Sequence, residues 1–208
     1  MDYKKRFYKH INETFIPLLR QDGFKGSGQN FRRVKGDVIH TINLQNNKYG
    51  GSCCLNVGVH FTFLPVCWDS KQMPNLNKIK EVDSEFRFRV APEGKSDYWW
   101  KFRGNGLFGS TKKSVEHLCE TYKVVGRAIF SRYGSVESVQ EAFPLEIFES
   151  EELSNIEGGI IPSRVALALA RINQHIGNKD QQQKYARVGL RVSDKDSGLK
   201  IELEQLAE

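Results

Sequence analysis

The densest run of chemistry-bearing residues is Gly104-Asn105-Gly106-Leu107-Phe108-Gly109, followed at once by Ser110, Lys112 and Lys113. Glycines at that spacing free backbone amides, and a helix that starts there points its unpaired N–H groups outward, so the combination suits an anion such as phosphate. A dinucleotide site needs more: a parallel strand, and an acidic residue about 20 positions on to reach the ribose. Glu120 lies inside the helix that follows, and no strand comes after it. The reading is an anion-binding candidate made of Gly104, Gly106, Gly109, Ser110, Lys112 and Lys113, beside the plainer one of a strand-to-helix turn.

A second group of candidates alternates cations with apolar residues. Arg32 and Arg33 sit in NFRRV, Arg87 and Arg89 in FRFRV, and Lys101 and Arg103 in YWWKFR. On strands such residues project from a sheet face, where Trp99 and Phe31 are available to stack on bases, so a nucleic-acid surface is a candidate. The competing reading is a solvated sheet face whose cations discourage edge pairing. Strand register decides which of them share a face.

Histidines, cysteines and carboxylates assemble nothing catalytic. His40 falls on the apolar side of its strand, as a hydrogen-bonded core histidine would, and His60 falls on the opposite side of the sheet. Cys54 and His60 are six residues apart on one strand, about 20 Å, too far for a nucleophile and its base. His10, His117 and His175 lie on helices without metal-ligand spacing. Four cysteines, two of them adjacent at Cys53 and Cys54, lack the spacing of a disulfide framework or zinc ribbon. Glu151-Glu152, Asp194-Asp196 and Glu202-Glu204 sit in polar stretches and read as solvated faces. No catalytic residue, metal or cofactor is called for.

The elements that must position these residues centre on Asn30 to Phe63. At period 2, Cys53, Leu55, Val57, Val59, Phe61 and Phe63 share one face, which predicts a long half-buried strand. Val38 to Gln45 pairs with it antiparallel across the Asn- and Gly-rich loop 46–51, and Asn30 to Val34 precedes it through Lys35-Gly36-Asp37. Phe86 to Val90 and Tyr98 to Arg103 bring the sheet to about five strands. Asp2 to Gln21 is predicted as a covering helix, capped near Gly23 and kinked or broken at Pro17, with 23–28 a flexible turn. A second helix runs from Ser110 or Thr111 to Tyr133 on a stripe of Val115, Leu118, Cys119, Tyr122, Val125, Ile129 and Tyr133. A short helix over 135–143 stops at Pro144.

Helix, strands and turn in LLRQDGFKGSGQNFRR (Leu18 to Arg33), with the strand pair and the Trp-rich strand after it, resemble the bacterial domain of unknown function 4304 family over about residues 7–135. The resemblance implies a small α+β domain and no nameable chemistry. Members of such families sometimes sit near toxin and immunity genes, which implies an immunity or defence role; the basic charge here departs from the acidic character usual for immunity proteins.

Beyond Pro144 the character changes. The expected organisation is an α+β domain over 1–143, an acidic connector over 144–161 and a helical extension over 162–208. SRVALALARINQHIG carries Val165, Leu169, Ile172 and Ile176 on one stripe, and KDQQQKYARVGLRV is its antiparallel partner. The pair resembles one tetratricopeptide-type hairpin, and Leu199 to Leu206 adds a closing helix.

Composition narrows the class. The 208 residues are 39% hydrophobic, enough for a core, and 31 Lys and Arg against 25 Asp and Glu give a net charge of +6. Basic residues concentrate before residue 135, which permits nucleic acid or an acidic protein as partner. No run approaches the roughly 20 apolar residues of a membrane span, so the expectation is a cytoplasmic protein with no membrane partner. The leading expectation is a non-enzymatic protein-interaction module using the C-terminal hairpin. Alternatives are a nucleic-acid binder on the cationic sheet, and a binder of, or enzyme acting on, a phosphorylated small molecule at the glycine turn.

Overall fold

The computed structural model describes residues 2–106, 109–148, 161–194 and 197–208. Six antiparallel strands form its sheet: β1 Lys25–Ser27, β2 Asn30–Lys35, β3 Val38–Asn46, β4 Ser52–Phe61, β5 Phe86–Val90 and β6 Trp100–Lys101. Their order is β1-β2-β3-β4-β5, with β6 pairing the start of β4. The α+β class holds. The sheet has one strand more than expected because 25–27, read as a flexible turn, pairs with β2. The Trp-rich strand is shorter than expected, only Trp100–Lys101.

Register follows the alternation. Ile42 faces Val57, Leu44 faces Leu55 and His40 faces Val59, so the apolar sides of β3 and β4 coincide. All ten residues of β4 are nevertheless buried, where a half-buried strand was expected. The second face is covered by the segment between β4 and β5. There Ser84 lies over Gly58 and hydrogen-bonds Thr41 at 3.0 Å, and His60 bonds the Leu64 carbonyl at 3.2 Å.

The first face is covered by helices. α1 Tyr3–His10 and α2 Ile16–Gln21 are joined by a π-helical turn, Ile11–Phe15, in which the Ile16 N–H reaches back to the Ile11 carbonyl. The wide turn absorbs the misfit of Pro17 just ahead of it, so helix continues where a kink or break was expected. Gly23, at φ +83°, turns the chain out of the helix.

α3 Thr111–Thr121 starts at the N-cap Ser110 and continues through a second π turn, Tyr122–Gly126, into α4 Arg127–Arg132. The extra residue rotates the buried stripe. Gly126 and Phe130 occupy the core side, whereas Val125 and Ile129, expected there, are half-buried. Phe15 and Tyr122, one from each π turn, meet edge to face with ring centroids 5.4 Å apart. α5 Val136–Ala142 follows, capped by Ser135 and Ser138.

The acidic connector falls mostly on 149–160, outside the described residues. Beyond it come α6 Pro162–His175, α7 Lys179–Arg191 and α8 Lys200–Ala207. α6 is buried continuously from Val165 to Asn173, so its outward faces are taken by its neighbours, and Ile176, placed on the apolar stripe, is exposed. Tyr185 donates to the Phe143 carbonyl at 2.9 Å, and His175 stacks on Phe63 at 3.8 Å. Among the described residues no helix is long and apolar enough to cross a membrane.

Candidate functional site

The glycine turn is closed on itself. A Cβ on Gly104, whose φ is +91°, would lie 2.4 Å from the Ser110 amide nitrogen, and one on Gly109 would lie 2.8 Å from the Gly104 carbonyl carbon. The Gly109 N–H donates to the Gly106 carbonyl. Ser110 caps α3 by accepting from the Lys113 amide at 3.5 Å, Lys112 pairs with Glu116 at 3.8 Å, and Lys113 is exposed. Leu107 and Phe108 lie outside the described residues. Close backbone approach is thus one physical reason for glycine at 104 and 109.

Register sorts the strand cations. Arg32, Thr41, Gly58 and Arg87 form one cross-strand row, and Asn30, Asn43, Asn56 and Arg89 another on the same face. Lys101 opposite Ser52 joins that face. Arg33 does not, because it stands opposite His40 on the helix-covered side; two adjacent strand residues always point apart. Arg103 lies past β6 and is exposed, and Phe31 is buried in the core. Arg89 sits over the Trp99 ring at 5.3 Å and pairs with Asp97 at 3.3 Å, while Arg87 pairs with Glu81 at 2.6 Å.

On the second sheet face, a cavity of about 280 Å³ opens between Asn56, Arg87 and Arg89 of the strands and Cys67, Glu81 and Glu85 of the cover. Its charges are matched. Arg164 of α6 donates to Glu85 at 2.9 Å, and Arg171 holds the same carboxylate at 3.0 Å. Arg89 also donates to the buried Cys54 sulfur.

A larger cavity, about 430 Å³, lies on the helix side where Asp22, β2, β3, α4 and α5 meet. Asp22 is its pivot. Arg127 grips the carboxylate through two bonds of 2.8 and 2.9 Å, and the Tyr122 hydroxyl donates to it at 2.7 Å. Burial works against ionisation of Asp22, but these bonds outweigh it and hold the carboxyl below its ordinary value, while burial and Asp22 push the Tyr122 hydroxyl up. Arg33 bonds the Asp22 carbonyl at 2.7 Å and His40 Nδ1 at 2.9 Å, with its guanidinium 4.6 Å from the Phe24 ring centroid. Burial, then the charges of Arg33 and Lys35, bring His40 down to about 3, so it is neutral.

Sequence reading did not assemble this group. Its members come from five separated elements, and Arg33 was grouped with Arg32 although their adjacency placed them on opposite faces. The second π turn, which positions Tyr122 and Arg127 toward Asp22, leaves no mark in the apolar periodicity. Among the described residues no group of three His, Cys, Asp or Glu side chains is placed to hold a metal.

Residues 15–132, helix α2 through α4, match the family described as Domain of unknown function (DUF4304). The chain belongs to that family. The match spans more than half of the 208 residues and includes the Asp22 cluster but not the C-terminal helices. No curated protein matches the chain significantly, and no solved structure does.

Proposed function

We propose that this DUF4304 member is a non-enzymatic interaction module that contacts a protein partner through the cover between β4 and β5. One observation carries the reading: Trp68, Met73, Leu76 and Val82 are 59%, 54%, 43% and 48% exposed on that single segment. Large apolar side chains in solvent oppose the hydrophobic effect, and exposed tryptophan is the residue most enriched at interface hot spots. The segment is held in shape. Trp68 Nε1 donates to Asp83 at 2.9 Å, the Cys67 amide to the Asp83 carbonyl at 3.0 Å, and the Val66 amide to the Gln72 carbonyl at 2.8 Å. Lys71, Lys78 and Lys80 are exposed on the same segment, which favours a partner with an acidic rim. The C-terminal hairpin, whose first helix is enclosed, supports the cover through Glu85. The defence association rests on the family resemblance alone.

The test is capture from host lysate after nuclease treatment, comparing the wild type with Trp68→Ala and Val82→Asp. A stoichiometric protein retained by the wild type and lost by both variants supports the reading. Equal capture by all three chains removes it.

A second reading rests on the shared face of Arg32, Arg87, Arg89 and Lys101, which would follow a nucleic-acid backbone. The ion pairs of Arg87 with Glu81 and Arg89 with Asp97 compete with phosphate contacts. This reading requires affinity that falls steeply with salt.

A further inference from the structure

We propose that the cavity beside Asp22 binds the phosphate group of a small molecule, recognised by Arg33 and Lys35. The site is distinct from the protein-contact surface and does not depend on it. His40 is 3% exposed and belongs to the cavity wall. An arginine can only donate, so His40 Nδ1 must accept from Arg33, and the ring proton resides on Nε2. That N–H is a buried donor with no hydrogen-bond partner among the described residues. Nε2 is sealed from solvent, so an acceptor in the cavity does not reach it; the part of His40 is to hold the Arg33 fork beside the cavity through Nδ1.

Charge selects the acceptor. Arg33, Lys35 and Arg127 face one carboxylate, Asp22, leaving a surplus of two positive charges. Arg127 and Asp22 satisfy each other, which assigns the surplus to Arg33 and Lys35. Three of the five guanidinium hydrogens of Arg33 are directed at His40 and the Asp22 carbonyl, and two remain. Lys35 is exposed and has no ion-pair partner among the described residues. Ser131 lines the same wall. A phosphate monoester, near two negative charges and with several acceptor oxygens, matches donors arriving from a guanidinium fork and an ammonium. The volume of about 430 Å³ has room for the rest of a small molecule. The smaller cavity on the other sheet face offers no such surplus, since its arginines are already matched by carboxylates.

Thermal unfolding of the full chain with inorganic phosphate or succinate at fixed ionic strength tests the assignment, using the wild type, Lys35→Glu, Lys35→Gln and Lys113→Ala. Lys35 is exposed, so both of its variants are expected to fold, which circular dichroism checks. The expected result is a phosphate-dependent rise in Tm for the wild type and Lys113→Ala. The apparent phosphate affinity falls about tenfold in Lys35→Glu and less in Lys35→Gln. No rise in the wild type, an undiminished rise in Lys35→Glu, or loss of the rise in Lys113→Ala overturns the site. A rise with succinate equal to that with phosphate overturns the choice of phosphate.

Discussion

Arg171 Nη1 donates to the Glu85 carboxylate at 3.0 Å, joining the C-terminal helices to the residue ahead of β5, with the two side chains 7% and 1% exposed. Arg171 also grips Glu202 of α8 at 2.6 Å, and Arg164 shares Glu85. The network therefore ties α6, α8 and the sheet cover together. Burial, the largest influence, keeps the Glu85 carboxyl above its ordinary value even with two arginines beside it.

Removing one partner is expected to cost more than the pair contributes. Glu85→Ala leaves Arg164 without its anion and Arg171 with Glu202 alone, and Arg171→Met leaves the buried Glu85 with Arg164 alone. Each is expected to lower unfolding free energy by about 3–5 kcal/mol, with the double variant well short of the sum. Urea denaturation of the two singles and the double gives the coupling. Single variants within about 1 kcal/mol of the wild type would show that the network contributes no specific stability.

The sheet was legible because its alternation is regular: Val38 to Leu44 and Cys53 to Phe61 place their apolar residues in one register, and the structure pairs them so. The second burial of β4 was not, since alternation marks Asn56, Gly58 and His60 only as the side away from the core, in solvent or under a loop, until the segment ending at Ser84 and Glu85 folds over them. The glycine turn was visible as a motif, but the Asp22 cavity depends on a π turn and on contacts separated by up to 105 residues. Periodicity reports local geometry and is silent on such meetings.

His60 makes the fold sensitive to acid. Its Nδ1 accepts from the Glu85 amide at 3.3 Å and its Nε2 donates to the Leu64 carbonyl, so protonation puts a hydrogen against an N–H. Burial lowers it from 6.5 to about 4. Between those values the unfolded chain binds a proton that the native chain does not, so stability is full above pH 6.5 and falls as pH drops toward 4. The loss attributable to His60 is about 3 kcal/mol at most. Urea midpoints measured from pH 7 to 4 are expected to fall less steeply for His60→Gln; an unchanged slope would assign the acid sensitivity elsewhere.

Gly58 is a steric test of the cover. A Cβ there would lie 2.5 Å from Thr41 Oγ1 and 2.6 Å from Ser84 Oγ. Gly58→Ala is expected to destabilise by about 1–3 kcal/mol through overpacking. Adding Ser84→Gly is expected to recover part of that loss, because it removes one of the two obstructing side chains. A double variant no more stable than Gly58→Ala would place the strain at Thr41 of β3 instead of the cover.

The glycine turn separates two reasons for using glycine. Gly104 and Gly106 both have positive φ, +91° and +73°, but a Cβ on Gly104 would strike the Ser110 backbone at 2.4 Å while one on Gly106 meets nothing within 4 Å. Alanine at 106 therefore pays only the conformational penalty, about 1 kcal/mol. Alanine at 104 must also push the Ser110 N-cap away from β6, and with it the start of α3, so a loss of about 3 kcal/mol or more is expected. Thermal denaturation ranks the two directly. Equal losses would mean that the turn opens freely around Gly104, and the amides near Ser110 would then be accessible to an anion after all.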